Sequence, residues 1–257
     1  MMQWKTLFQK ELLENWRNYK WIWVPIAFIA LMVVDPIVNY YLPDILDALG
    51  GLPEGAVFEL PEPTVNDAIM MIFGQLGTLG ILLIVLISMG TISEERKSGV
   101  AEIVLTKPVS YANYVTAKWA SMLLLVLSSF LIGFIVTIYY IQLLYGSVSF
   151  STVAQVFLFY SIYLMFIVTL VILFNAMFRS QGIVAFISLA LIIAMHGITT
   201  LLSHKLTYSP GAIMNHLVVF LETAEVPSEL IGTSILTLGL SILLLFLAVI
   251  MMRKRAN

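Results

Sequence analysis

Long apolar runs and short polar ones alternate along the whole chain. Apolar stretches fill positions 21–42, 69–92, 119–144, 153–178, 182–202 and 230–252, and within all six the only Asp, Glu, Lys or Arg is Asp35. A bilayer core about 30 Å thick needs about 20 apolar helical residues, so each stretch is long enough to cross. The pattern predicts six transmembrane helices and an all-α integral membrane fold, a single transmembrane domain over 1–257. The first run is too long for a cleavable signal peptide, and no small-residue cleavage site follows it.

Composition agrees. Of 257 residues, 60% are hydrophobic and 11% charged, more apolar surface than one water-soluble core can hide. The absence of cysteine excludes disulfides, thiolate metal sites and a cysteine nucleophile. The thirteen methionines suit adaptable apolar packing.

Charge sets the expected orientation. Twelve of the thirteen Lys and Arg fall before the first run, between runs two and three, between four and five, or after six; Lys205 is the exception. The positive-inside rule makes those segments cytoplasmic, with both termini inside. Residues 1–20 place Trp4, Leu7, Phe8, Leu12 and Trp16 near one helical stripe, with Lys5, Lys10, Glu11, Glu14 and Arg17 between them. Such a helix is expected to lie in the membrane interface, either as an anchor for the first span or as a contact surface.

The segment 92–110, ISEERKSGVAEIVLTKPVS, is the most informative. Thr64 and Asp67 have the spacing of a capping box, so the second helix is expected to start near Val65. It should run through Ile92 and stop where Gly99 can take a left-handed cap, with Arg96 and Lys97 complementing the helix dipole. Residues 100–105 then form a separate short helix with Val100, Ile103 and Val104 on one face. Pro108 forces Lys107 to be extended, and Ser110 caps the next helix. These residues alone describe a short helix between two protruding spans, either a lever or a loop resting on the lipid.

Glu94-Glu95-Arg96, Gly99, Glu102, Leu105, Lys107-Pro108-Val109-Ser110 and Lys118 resemble the corresponding segment of ABC-2 type permeases, the membrane subunits of ATP-binding-cassette exporters. Val100 stands where Thr is usual. The resemblance implies that Val100, Glu102, Ile103, Val104 and Leu105 form a coupling helix that docks on an ATPase, supported by Glu94, Glu95, Arg96, Gly99, Lys107 and Pro108 within the coupling region 93–118. It further implies a second permease subunit, identical or related, in a prokaryotic plasma membrane. This chain would bind no cofactor, ATP and Mg belonging to the partner subunit. No nucleic-acid partner is expected.

Other features fit the resemblance. Ser209-Pro210-Gly211 begins a helix as a cap followed by proline, and Ile213, Leu217, Phe220 and Leu221 share a face. That segment, to Glu222, is too short to cross, hence interfacial or re-entrant. Gly74, Gly77 and Gly80 on the second span, and Ala190, Ala194 and Gly197 on the fifth, are candidate packing or dimer faces. The first outer loop, 43–67, is acidic, with one short helix expected from Pro43 to a stop at Gly50 and extended chain around Pro53, Pro61 and Pro63.

The remaining chemistry is sparse. Asp35 beside Pro36 is an intramembrane carboxylate, a candidate ion site or a hydrated group near the outer headgroups. His196, His204 and His216 lack metal-ligand spacing and no metal site is expected. No Gly-Lys pair occurs, so there is no phosphate-cradling loop, and no catalytic constellation is present. The expected function is a non-enzymatic permease subunit of an exporter, whose nearly uncharged spans suit a hydrophobic or amphipathic cargo. The alternatives are a self-sufficient secondary carrier using Asp35 and an ATP-driven mechanical complex without its own cargo.

Overall fold

The computed structural model describes residues 2–48, 63–106 and 109–254, and every regular element among them is helical. In chain order these are α1 (Met2–Arg17), α2 (Lys20–Tyr40), α3 (Leu42–Ala48), α4 (Val65–Gln75), α5 (Ile81–Ser88), α6 (Ser93–Lys97), α7 (Val100–Thr106), α8 (Tyr111–Leu144), α9 (Phe150–Met177), α10 (Gln181–Leu201), α11 (Ile213–Thr223) and α12 (Ser228–Lys254). Six segments are long and apolar enough to cross a membrane: Lys20–Tyr40, Val65–Lys97, Tyr111–Leu144, Phe150–Met177, Gln181–Leu201 and Ser228–Lys254. The protein is a multi-pass, all-α membrane protein.

Local chemistry sets the helix starts. The Asp67 amide donates to Thr64 Oγ1 at 3.2 Å while the Thr64 amide donates to Asp67 Oδ2 at 2.7 Å, so the capping box is complete. Ser110 accepts from the Asn113 amide and Ser149 from the Thr152 amide. Each cap satisfies a donor that the helix itself leaves unpaired. Gly50, Pro53, Pro61 and the acidic residues of 49–62 lie outside the described residues.

α9 is the centre of the bundle, with α5, α8, α10, α11 and α12 packed around it. All its side chains from 166 to 176 are buried, which is what a helix apolar on every face requires. Near its middle, Tyr160 packs with Phe73 of α4 and Phe130 of α8 at centroid distances of 4.9 and 5.4 Å. Against α9, α12 presents Ser234, Thr237 and Ser241, all buried. Each of these hydroxyls donates to a carbonyl four residues earlier in α12 itself, those of Leu230, Thr233 and Thr237. α2 lies along α8, and Gly133 brings the two backbones together. A Cβ there would stand 3.2 Å from the Phe28 carbonyl carbon and 3.3 Å from the Ile29 nitrogen. Small residues serve this purpose between membrane helices.

One element differs from its sequence expectation. The second span is not one regular helix: a π-helical turn, Leu76–Gly80, separates α4 from α5, and residues 89–92 form a turn before α6. Thr78 Oγ1 lies within hydrogen-bonding distance of the Gly74 and Gln75 carbonyls at the first break, 3.2 and 3.3 Å away. The side of α1 that meets α8 is one its sequence did not indicate. Trp4 and Phe8 do stack (5.1 Å, 9°), but the buried positions further along are Glu11 and Asn15, while Trp16 is 62% exposed. The reason is the partner: α8 offers Lys118 and Ser121 at this level, and those groups need a carboxylate and an amide.

At the opposite end of the bundle Ser209 caps the turn Pro210–Ala212 that leads into α11. Ile213, Leu217, Phe220 and Leu221 are its buried residues, as their spacing predicts. Asn66 Nδ2 donates to the Leu221 carbonyl at 2.6 Å, tying α11 to the start of α4. Asp35 is also near this end. It accepts a 2.8 Å bond from Gln75 Nε2, and the next residue's carbonyl accepts from the Tyr145 hydroxyl just beyond α8. Five residues of α2 remain after Asp35, a rise of about 7.5 Å, so the carboxylate lies midway between the centre of α2 and its C-terminal end.

Candidate functional site

The short helices between the second and third spans are built from small local decisions. α6 ends at Ser98, and Gly99 follows with φ 79°, the left-handed conformation that glycine adopts without strain. α7 then runs across to the start of α8. Its Ala101 is buried at 1%, whereas Val100 and Ile103 are 39% and 67% exposed. Glu102 is exposed beside Arg179 at 3.6 Å, an open ion pair from the loop between α9 and α10. Val104 is half-buried against the core. The expected apolar face is therefore divided, with Val104 turned to the bundle and Val100 and Ile103 turned away. The Leu105 side chain, Lys107 and Pro108 lie outside the described residues. Ile103, Val104 and Val109 line one side of an apolar groove of about 390 Å³, and Gln3, Thr6, Leu7 and Lys10 of α1 line the other.

Beneath α7 an ionic cluster fastens three elements. Lys118 of α8 is 2% exposed, with its Nζ 2.8 Å from Glu11 of α1 and 3.1 Å from Glu95 of α6. Lys10 reaches Glu11, Glu14 and Glu95, and the Tyr114 hydroxyl donates to Glu95 Oε2 at 2.6 Å. Two further bonds join α1 to α8, Trp4 Nε1 to Thr116 Oγ1 and Asn15 Nδ2 to Ser121 Oγ, both 3.1 Å. Burial by itself would lower the pKa of Lys10; the hydrogen bond that it donates to Glu95 and the charge of Glu11 outweigh it and hold the ammonium above the ordinary lysine value. The carboxylates of Glu11, Glu14 and Glu95 come within 4.8 Å of one another, a grouping that would suit a cation. Here the ammonium groups of Lys10 and Lys118 already meet that charge.

The turn at 89–92 is held by a single side chain of α9. Asn175, fully buried, accepts from the Ile92 and Ser93 amides at 3.2 and 3.1 Å and donates to the Ser88 and Val171 carbonyls at 3.0 Å each. Next to it, Arg96 Nη1 donates to the Ala176 carbonyl at 2.6 Å, placing a cation on the negative end of the α9 dipole. Glu95 and Arg96 are thus buried and engaged, while Glu94 is exposed.

The candidate faces on the spans lie elsewhere. Gly74 opens outward with nothing within 4 Å of a Cβ, Gly77 faces Met214 at 3.5 Å, and Gly80 lies against Leu76 in the π turn. Ala190, Ala194 and Gly197 are all exposed along one side of α10, uncovered within a single chain. Of the histidines, His196 pairs with the Tyr163 hydroxyl at 2.6 Å and His216 with the Thr207 carbonyl at 2.8 Å.

Lys118 enters the sequence argument only as part of a motif. Its partners Glu11, Asn15 and Ser121, and the amide of Asn175, carry no local signal: each acquires its role by meeting a residue more than eighty positions away or on another helix.

Comparison with known proteins places this geometry. The family described as ABC-2 family transporter protein matches residues 6–210, from α1 through α10 to the cap of α11. A relative in Bacillus subtilis (strain 168), described as the uncharacterized transmembrane protein YxlG, is 32% identical over 208 residues, covering 81% of each chain. The buried ionic cluster, α7 and the first five spans therefore lie inside the matched region, and the chain belongs to the ABC-2 family of transporter membrane proteins.

Proposed function

We propose that this permease couples ATP hydrolysis by a separate ATPase subunit to movement of a hydrophobic or amphipathic cargo out of the cell. In this reading α7 is the docking helix, with Val100, Glu102 and Ile103 meeting the ATPase. Val104 and the neighbouring Leu105, Lys107 and Pro108 complete the coupling region. The basic end of the bundle, including both termini, faces the cytoplasm of a prokaryotic cell. Two permease chains, identical or related, pair along exposed faces such as Ala190, Ala194 and Gly197, with an ATPase beneath each. ATP and Mg reside in the ATPase. Its closure pushes α7, and α6 and α1 carry the push to α8 through Glu95, Lys118 and Glu11.

The observation that carries the proposal is an exposed Val100 and Ile103 on a short helix packed on α6, whose Glu95 enters the buried ion cluster with Lys118 and Glu11. Aliphatic residues exposed outside the crossing segments suit a protein partner. The buried cluster suits the transmission of force to the spans. Asp35 lies off the centre of α2 and is already bonded to Gln75, which favours a structural carboxylate over the midplane ion site that a secondary carrier needs.

The test is purification of the tagged permease from its native membrane in mild detergent, with associated proteins identified by mass spectrometry. An ATPase should accompany the wild type and be lost with Val100→Asp/Ile103→Asp, whose substitutions lie on the outward side and leave the bundle folded. Recovery of no ATPase, or equal recovery with the double variant, overturns the assignment of α7.

A further inference from the structure

We propose that Asn175 is the pivot of the coupling lever, a positioning residue that makes the joint between α5 and α6 stiff. The role of lever rests on the reading of α7 as the docking helix; the stiffness of the joint does not. A helix that breaks at 89–92 and restarts at Ser93 leaves carbonyls and amides without their intrahelical partners. In a buried place such a break is costly unless another group satisfies it. Asn175 does so with three of its four bonds, to Ile92 N, Ser93 N and Ser88 O, while the fourth, to Val171 O, fixes the amide on its own helix. Its two donors and two acceptor positions engage Ser88 O, Val171 O, Ile92 N and Ser93 N, at 3.0–3.2 Å.

This geometry is specific to asparagine. Asp lacks the two donors, and an apolar residue of similar size satisfies none of the four groups. Both sides of the break are held by one planar amide, so the end of α5 and the start of α6 keep a fixed relation to α9. Arg96 adds a second point on the same element, at the Ala176 carbonyl one residue further along α9. The last turn of α9 thus acts as a fulcrum. With the amide in place, displacement of α7 turns α6 and its Glu95 connection as a unit. Without it, the unclamped turn at 89–92 absorbs the displacement.

The experiment is a distance measurement that needs no partner. The chain has no cysteine, so spin labels go only where they are placed: Ile103→Cys with Arg253→Cys across the lever, and Ser151→Cys with Glu222→Cys at the opposite end. Pulsed electron paramagnetic resonance is recorded in detergent on otherwise wild-type protein, on Asn175→Leu and on Asn175→Asp. The expected result is a narrow distribution for both pairs in the wild type. In Asn175→Leu the first pair should broaden at least twofold while the second stays narrow. Asn175→Asp, which keeps the acceptors for Ile92 and Ser93, should fall between. An unchanged first pair overturns the proposal. Equal broadening of both pairs also overturns it, since Asn175 would then be an ordinary core residue whose loss loosens the whole bundle. Because no ATPase is present, failure here is read separately from failure of the docking assignment.

Discussion

Lys118 and Glu11 form a buried ion pair, 2.8 Å apart, between two helices separated by 107 positions in sequence. Lys118 also serves Glu95, so its removal leaves two buried carboxylates with Lys10, a half-exposed cation, as their one ammonium partner. Lys118→Met should cost about 3–5 kcal/mol, the range for breaking a buried pair from one side. Glu11→Gln should cost less, since Lys118 keeps Glu95. Thermal unfolding in detergent orders the two variants. If Lys118→Met unfolds at the wild-type temperature, the cluster is not holding α1 to α8.

The contrast is the surface pair Arg179 and Glu102, 3.6 Å apart with both side chains largely exposed. Exposed pairs contribute little. Glu102→Gln should leave thermal stability within about 0.5 kcal/mol of the wild type. Glu102→Lys, equally neutral for stability, should weaken recovery of the ATPase if α7 docks as proposed. A large stability change in either variant would mean that Arg179 anchors α7.

Glycines on two helices should answer oppositely to alanine. At Gly133 a Cβ meets the α2 backbone at 3.2–3.3 Å. Neither backbone can yield independently, so Gly133→Ala should destabilise by about 1–3 kcal/mol. At Gly74 the Cβ meets nothing within 4 Å, and Gly74→Ala should be neutral or gain up to about 1 kcal/mol of helix propensity. Thermal unfolding of the dispersed single chain measures both. Equal losses at the two positions would refute the contrast.

Alkaline pH should leave α1 docked. The folded pKa of Lys10 lies above its unfolded value of 10.5. Its ion pairs therefore contribute fully below pH 10.5 and are lost only as pH rises through the higher folded value. A label pair at Gln9→Cys and Arg253→Cys should report one distance from about pH 7 to about pH 10. Release of α1 within that range would show that Lys10 is not held by Glu95 and Glu11.

What the sequence made legible was what nearest neighbours decide. Thr64 with Asp67, Ser110 with Asn113, Ser209 before Pro210, and Gly99 after a charged turn each act within four positions, and all four behave in the structure as that local chemistry predicts. The buried face of α11 follows from helical spacing alone. The site was less legible because its bonds are long-range. Nothing near Asn175 in a uniformly apolar stretch marks it as the partner of a turn on another span. The stripe of aromatic residues in α1 marked a side for the membrane interface and said nothing of Glu11 and Asn15, which Lys118 and Ser121 of α8 hold inward. Gly133 looked like any other glycine until α2 was beside it, while Gly74, Gly77 and Gly80, regularly spaced, meet different surroundings: open space, Met214 and Leu76.

The hydroxyls of Ser234, Thr237 and Ser241 give the molecule an uneven mechanical texture. Their hydrogen bonds stay within α12, so this stretch rests on α9 through shape and dispersion alone, like a dry bearing. At the other side of the bundle, Lys118, Glu11, Asn15 and Trp4 rivet α1 to α8 with bonds that have direction. A tilt of α12 therefore repacks methyl groups without tearing a directional bond among those three hydroxyls, whereas any shift of α1 must drag α8 along with it.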